Sequence, residues 1–220
     1  MNLLLNFIDR VDYNSYEDLY ANFKIHVPAS FNFAYDVVDV YAEKEPKKEA
    51  LVWCDDNDEK HIFTFKDLSL ASKRTANFLK MHGIQKGDRV QLMLRRRYEF
   101  WFFLLALHRI GAIAVPATNM LTSADLEYRF NAAEIKMVVA YDDPMMQKEI
   151  ETARAKSPSV ETLVAVGQPR QGWTSFYDDY EICSSKFERP TGENEIKNDD
   201  IMVIYFTSGT SSNPKMVAHT

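Results

Sequence analysis

The sequence predicts an α/β fold in which a parallel or mixed sheet carries helices on both faces. Between residues 89 and 166, short apolar segments with the length of strands alternate with amphipathic segments with the length of helices. Such alternation is typical of βαβ units, in which each helix crosses over one face of a parallel sheet. The chain has 220 residues, of which 46% are apolar and 26% charged, so it can fold as one large domain or two small ones.

The composition excludes several classes of protein. A formal charge of -6 at pH 7 lacks the basic footprint of a nucleic-acid binder. The two cysteines lie far apart and the five histidines have no ligand-like spacing, so neither zinc nor a disulfide is expected and a reducing compartment fits best. The apolar stretch 100–107 is too short to span a bilayer, and residues 1–7 lack the features of a signal peptide. We therefore expect a cytoplasmic protein with no membrane span and no nucleic-acid partner.

The first elements are predicted from local patterns. Residues 1–30 are aromatic and acidic without clear periodicity, and they are expected to form an extension packed on the main body. Apolar positions at helical spacing within 33–41 predict a helix that ends at Pro46. Two strands, 51–53 and 62–65, follow and are expected to pair as a hairpin across a polar turn.

Capping signals delimit the next helix. Thr64 and Asp67 fit a capping box, an apolar stripe follows, and Gly83 occupies the place of a left-handed C-terminal cap. The basic run 95–97 is expected to be the solvated end of an element rather than an anion site. The remaining elements are expected in this order: a strand over 89–94, a buried helix over 98–110 closed by Gly111, a strand over 112–115, a helix capped by Thr122 and Asp125, a strand over 136–140, a helix over 144–155, and strands over 162–166 and 201–206.

Three segments make up the predicted domain organisation. Residues 1–30 are the extension, 31–168 are a first α/β subdomain, and 169–220 are the start of a second one. The boundary between the subdomains depends on the stretch 167–172, which contains two glycines, a proline and polar residues.

The strongest chemical signal lies near the end of the chain. The apolar segment 201–206 leads into a loop of hydroxyl residues with one glycine and one lysine. Small residues let backbone N–H groups approach phosphate oxygens, hydroxyls donate hydrogen bonds, and an ammonium supplies a point charge. The candidate phosphate-binding residues are Thr207, Ser208, Gly209, Thr210, Ser211, Ser212 and Lys215.

Two other interpretations of this loop are possible. The P-loop of nucleoside triphosphatases requires a second glycine before its lysine and a hydroxyl residue after it, and Pro214 and Met216 stand at those positions. The departures affect residues that the P-loop mechanism needs, so that interpretation is rejected. A merely solvated turn is the second interpretation, and composition alone leaves it open.

The order of residues in 205–215, YFTSGTSSNPK, resembles the phosphate loop of the adenylate-forming superfamily. Two upstream segments agree in order and spacing: 63–68 resembles the family's early strand-to-helix motif, and 107–116 resembles its next motif, a helix that ends in R-x-G-A before a strand and a proline. Within the superfamily the medium-chain acyl-CoA synthetases are the most similar, through the segment 31–34, the turn 87–90 and the pair Lys215-Met216.

The resemblance implies the N-terminal part of the large domain of an adenylate-forming enzyme. Such enzymes activate a carboxylic acid, here a fatty acid, with ATP and Mg2+ to an acyl-adenylate, and then transfer the acyl group to coenzyme A. It also implies that Thr207 to Ser212 hold the β- and γ-phosphates while Lys215 braces the loop, with a helix expected to follow. Ser212 departs from the pattern, since the family has a glycine there and a Cβ is unfavourable if φ is positive.

The length of the sequence adds further expectations. The family's Mg2+ and coenzyme A sites and its catalytic lysine lie in segments that this sequence does not contain, so we expect the 220-residue chain alone not to complete adenylation. A non-catalytic relic or a protein-binding module that retains the fold is the alternative. We also expect self-association through an exposed sheet edge.

Overall fold

The computed structural model describes residues 2–207 and 213–220. Within them, the strands in chain order are β1 (Glu49–Cys54), β2 (Lys60–Thr64), β3 (Arg89–Met93), β4 (Ile113–Pro116), β5 (Ile135–Tyr141), β6 (Thr162–Val166), β7 (Thr174–Ser175), β8 (Val203–Phe206) and β9 (Met216–His219). The α-helices are α1 (Tyr16–Asn22), α2 (Val40–Lys44), α3 (Phe65–Met81), α4 (Glu99–Ile110), α5 (Ser123–Ala132), α6 (Pro144–Arg154) and α7 (Phe176–Ile182).

Strands β3 to β9 form one sheet in the order β7-β6-β5-β3-β4-β8-β9. Every neighbouring pair is parallel except β8 and β9, which are antiparallel. Strands β1 and β2 form a separate antiparallel hairpin. The predicted mixed α/β sheet is confirmed, and so is the hairpin.

Side chains that alternate along the central strands feed two apolar cores. In β5, Met137 and Val139 pack with α3, α4 and α7, while Val138 and Ala140 pack with α5 and α6 on the opposite face. All four side chains are fully buried. A strand that is buried on both faces has a nearly continuous apolar sequence. This is why residues 135–141 do not alternate between apolar and polar side chains, as a strand with one solvated face does. Helices on both faces of the sheet are thereby confirmed.

A third, outer layer covers α3 and α4. Ala34 and Val38 are buried there against these two helices, and the β1–β2 hairpin packs on the same cluster. Residues Ala34–Asp39 form a π-helical segment that continues directly into α2. The predicted helix over 33–41 is therefore present, with its first turns wider than an α-helix.

The capping signals are confirmed. The side chains of Thr64 and Asp67 form the reciprocal hydrogen bonds of a capping box at the start of α3, and Thr122 and Asp125 do the same for α5. Gly83, with φ +78°, follows α3 in the left-handed conformation. The sequence did not predict the short helices α1 and α7, each of which starts at a serine cap.

The prediction of a helix after the phosphate loop is wrong. Residues 216–219 are strand β9, which pairs with β8 from Val203–His219 to Phe206–Met216. The physical reason is that β8 has only β4 on its other side, so its N–H and C=O groups need partners that a helix would not supply. A local pattern of four residues does not contain this long-range requirement.

Strands from both sides of the predicted boundary at 168 belong to the same sheet. β7 pairs with β6 at one edge, and β8 pairs with β4 towards the other. The division into subdomains at that residue stays a prediction. No helix among residues 2–207 and 213–220 is long and apolar enough to cross a membrane.

Candidate phosphate-binding site

The candidate loop leaves the sheet where the parallel strands end. β8 runs parallel to β4, so Phe206 lies at the same carboxyl edge of the sheet as Pro116 at the end of β4. In open α/β sheets this edge is where ligands bind. The chain returns antiparallel as β9, so the loop is a connection within a hairpin and both of its ends are fixed by the sheet.

Backbone hydrogen bonds bring the two ends of the loop together. The N–H of Thr207 donates to the carbonyl of Lys215 over 2.9 Å, which extends the β8–β9 ladder by one residue beyond the Phe206–Met216 pair. The Thr207 hydroxyl lies 3.4 Å from the same carbonyl. Thr207 and Lys215 are both exposed. Two of the predicted site residues, Thr207 and Lys215, are therefore neighbours at the mouth of the loop.

The other predicted site residues lie outside the described part of the chain. These are Ser208, Gly209, Thr210, Ser211 and Ser212. Their assignment to phosphate binding remains a prediction from the sequence.

Helix α5 supports the loop from one face of the sheet. The hydroxyl of Tyr128 donates to the carbonyl of Pro214 over 3.0 Å, and its ring meets the ring of Phe206 edge-on at 6.3 Å. The guanidinium of Arg129 lies 4.7 Å from the centroid of the Phe206 ring. Consecutive residues of α5 thus contact Phe206, immediately before the loop, and Pro214, near the end of the loop.

Arg129 is a cation in a partly dry environment. Burial lowers the pKa of its guanidinium, while the charge of Asp125 acts in the opposite direction. Its Nε is buried and has no hydrogen-bond partner within the described ranges. Neither Tyr128 nor Arg129 is predicted from the sequence, because polar residues on a helix ordinarily indicate its solvated side. Tyr128 and Pro214 are 86 residues apart in the sequence, and only the fold brings them into contact.

A comparison with protein families matches residues 38–220 to the AMP-binding enzyme family. The match includes the loop, the supporting helix and all seven strands of the main sheet. The chain belongs to the AMP-binding enzyme family.

Curated relatives within this family are acyl-coenzyme A synthetases. The chain is 32% identical over 216 residues to the mitochondrial acyl-coenzyme A synthetase ACSM3 of Mus musculus, with 95% of this chain and 36% of the relative covered. It is 35% identical over 202 residues to the mitochondrial synthetase ACSM4 of Homo sapiens, with 88% of this chain and 34% of the relative covered. The chain thus spans about a third of the length of these relatives.

A solved structure of an adenylate-forming ligase has the same fold. The anthranilate coenzyme A ligase AuaEII, crystallised with anthranoyl-AMP, superposes with a TM-score of 0.78 at 25% identity. The superposition covers 88% of this chain and 35% of the ligase. The shared fold supports assigning the sheet to the N-terminal part of an α/β domain of this kind.

The R-x-G-A segment has a structural role. Arg109 is fully buried and pairs with Asp39. Gly111 has φ +71°, and a Cβ built on it would lie 3.0 Å from side-chain atoms of Ile196 and Lys86. The motif therefore fixes the packing of α4 and of the chain that enters β4, at the end of the sheet opposite to the phosphate loop.

The basic run 95–97 is largely neutralised by its neighbours. Arg95 pairs with Asp143 at 3.2 Å, and Arg97 pairs with Glu99 at 2.7 Å. The two arginines also lie over the rings of Tyr141 and Trp53. Over the same part of the chain that the structure describes, no group of three or more His, Cys, Asp or Glu residues could hold a metal ion.

Proposed function

We propose that this chain binds the polyphosphate tail of ATP at the β8–β9 loop, as the ATP-phosphate part of an acyl-CoA synthetase. The observation that carries the proposal is the hairpin itself: residues 207–215 connect two paired strands at the carboxyl edge of the sheet, with Thr207 and Lys215 bonded across the mouth. The backbone hydrogen bond between Thr207 and Lys215 fixes the two ends of the loop, and donors that are positioned before a ligand arrives stabilise developing charge.

The proposed reaction has two steps. The carboxylate of a fatty acid attacks the α-phosphorus of Mg-ATP, which gives an acyl-adenylate and pyrophosphate, and the thiol of coenzyme A then displaces AMP. The proposed role of the hydroxyls and amides of 207–212 is to hold the β- and γ-phosphates, so that negative charge on departing pyrophosphate is stabilised. Lys215 supplies the positive charge that balances the loop. The whole reaction also requires Mg2+, the acid and coenzyme A. The part proposed for this chain is binding of the ATP phosphates.

Calorimetric titration with Mg-ATP tests the proposal. Replacing Lys215 by alanine is expected to weaken binding at least tenfold. Lys60 is a matched control, because it is an exposed lysine in β2, remote from the loop, with no ion pair among the described residues. Micromolar binding of Mg-ATP by the wild-type chain that survives Lys215→Ala would contradict the assigned role of the loop.

A non-catalytic protein-binding module that retains the fold is the second candidate function. Ser212 favours it, because a side chain replaces the family's glycine in the loop that should approach phosphate closely. The discriminating variant is Ser212→Gly. A gain of ATP affinity in this variant over an inert wild-type chain would favour the second candidate, whereas binding by the wild type favours the enzyme.

The compartment and the assembly state belong to the same proposal. We propose a reducing compartment, the cytoplasm, because Cys54 and Cys183 are both free; a fluorescent fusion imaged with cytoplasmic and mitochondrial markers tests it.

We propose self-association through β9, an edge strand whose four residues are all exposed. Sedimentation velocity over a range of concentrations tests this, and a single monomeric species throughout would contradict it.

A further inference from the structure

Arg129 lies beside the phosphate loop and forms no ion pair with the residues that the structure describes. Its guanidinium stacks on Phe206, the last residue of β8, and the preceding residue Tyr128 bonds to Pro214 at the other end of the loop. Its Nε is buried and makes no hydrogen bond within residues 2–207 and 213–220. The side chain as a whole is only half-buried, and its guanidinium lies over Phe206 at the carboxyl end of β8.

Among the described residues, Asp125 is the acidic group that acts on Arg129, and one oxygen of its carboxylate is engaged in the cap of α5. Asp125 lies one helical turn earlier in α5, and its carboxylate accepts hydrogen bonds from the N–H and the hydroxyl of Thr122 at 3.0 and 2.7 Å. It forms no ion pair with Arg129 in the described part of the chain. A partly dry cation without a paired anion is unfavourable on its own, and it is the environment in which an anionic ligand gains most.

We propose that Arg129 is a second cationic contact for the polyphosphate bound at the β8–β9 loop, in addition to Lys215. This inference rests on the proposed function. It assigns α5 a role in recognising the ligand besides its role in covering the sheet.

The chemistry of arginine fits this position better than that of lysine. A guanidinium can stack on an aromatic ring through its face and still donate from its edge, where the N–H groups form a fork that matches two phosphate oxygens. Phe206 supplies the ring, and the β8–β9 ladder fixes where Phe206 lies. The donor is thereby oriented before the ligand binds.

Binding of magnesium tripolyphosphate and magnesium pyrophosphate by the full 220-residue chain tests the inference, since both probes contain the phosphate chain without the nucleoside. Arg129→Ala is expected to weaken tripolyphosphate binding at least tenfold, and Arg129→Lys to restore part of the loss. Arg74→Ala is the matched control: Arg74 is also half-buried and lies 5.7 Å from the ring centroid of Tyr180, but it belongs to α3 on the opposite face of the sheet. It is expected to bind like the wild type.

The outcomes separate this inference from the proposed function. If the wild type binds tripolyphosphate, Lys215→Ala weakens it and Arg129→Ala matches Arg74→Ala, the role of Arg129 is overturned and the loop retains its function. If the wild type binds neither probe at millimolar concentration, both proposals are overturned. Circular dichroism melting checks that each variant is folded. If Arg129→Ala is unfolded, the same comparison is made with Arg129→Lys and Arg129→Gln, and a Gln variant that binds as tightly as the Lys variant would overturn the charge-based role.

Discussion

The buried guanidinium of Arg109 and the half-buried carboxylate of Asp39 form two parallel hydrogen bonds of 2.9 and 2.7 Å. Arg109 has no exposed surface, and its Nε donates to the hydroxyl of Ser72 over 2.9 Å. This pair joins the π-helical segment before α2 to the end of α4. It gives the arginine of the R-x-G-A motif a structural explanation.

The first prediction concerns this ion pair. Asp39→Asn keeps the shape of the side chain but leaves a buried guanidinium without its counter-ion, so the free energy of unfolding is expected to fall by about 3–5 kcal/mol. Glu134→Gln is the control, because Glu134 pairs with Arg89 at 2.7 Å but is 76% exposed, and it should cost at most about 1 kcal/mol. Urea denaturation measures both. Equal losses in the two variants would show that burial of the Arg109 pair does not matter.

The second prediction concerns pH. Burial lowers the pKa of His108 to about 4, so the folded protein holds this imidazole neutral while the unfolded chain protonates it near pH 6.5. Between these two pH values the unfolded state therefore binds more protons than the folded state. Protonation stabilises the unfolded state, so the free energy of unfolding falls as the pH decreases from 6.5 towards 4. At neutral pH the contribution of His108 is fully present, and its loss amounts to at most about 3 kcal/mol.

The variant His108→Gln isolates this effect. Its stability should depend less on pH than that of the wild type between pH 6.5 and 5. The carboxylates with lowered pKa, such as Asp39, contribute only when the pH falls further, so they do not disturb this window. His26→Gln serves as the control, since the side chain of His26 is 59% exposed. A pH profile of His108→Gln that is parallel to the wild-type profile would contradict the prediction.

Features of the fold that depend on residues close together in the sequence could be predicted, whereas features that depend on residues far apart in the sequence could not. Thr64 and Asp67 are three residues apart, and their capping box could be read directly from the sequence. Arg109 and Asp39 are 70 residues apart, so the motif was recognised but the partner of its arginine was not. The same reason explains why a helix was wrongly predicted after the loop. Strand β9 forms because the backbone groups of β8 on the side away from β4 need hydrogen-bond partners.

The candidate site shows the same division. Thr207 and Lys215 were predicted from the order of residues in one loop, and the structure places them together through a backbone hydrogen bond. Tyr128 and Arg129 have no local signal, and their contacts with Pro214 and Phe206 exist only once α5 lies on the sheet. Residues that support a loop from another element are accessible to sequence reasoning only when their partners are already known.

The third prediction compares two glycines with positive φ. Gly111→Ala is expected to lower the free energy of unfolding by more than Gly83→Ala. Both replacements force alanine into the left-handed region, which costs about 1–2 kcal/mol. Only at Gly111 would the new Cβ also press on Ile196 and Lys86, each at 3.0 Å, because nothing lies within 4 Å of the corresponding position at Gly83. Thermal unfolding followed by circular dichroism measures the difference, and equal losses would show that the neighbours of Gly111 move aside freely.

The fourth prediction concerns a polar residue in the sheet. Gln91 lies in β3 between Val138 of β5 and Val115 of β4, has no exposed surface, and leaves both its amide oxygen and its amide nitrogen without a partner among the described residues. An amide buried in this way costs about 1–3 kcal/mol relative to an apolar side chain of similar shape.

Gln91→Leu is therefore expected to raise the free energy of unfolding by about 1–3 kcal/mol, because leucine removes the unsatisfied amide without leaving a cavity. Gln85→Leu is the control: Gln85 is exposed in the turn before β3, and its replacement should change stability by less than about 0.5 kcal/mol. Chemical denaturation of both variants at pH 7 gives the comparison. Destabilisation by Gln91→Leu would contradict the prediction. It would mean that the amide has a hydrogen-bonding partner in solution, such as a buried water.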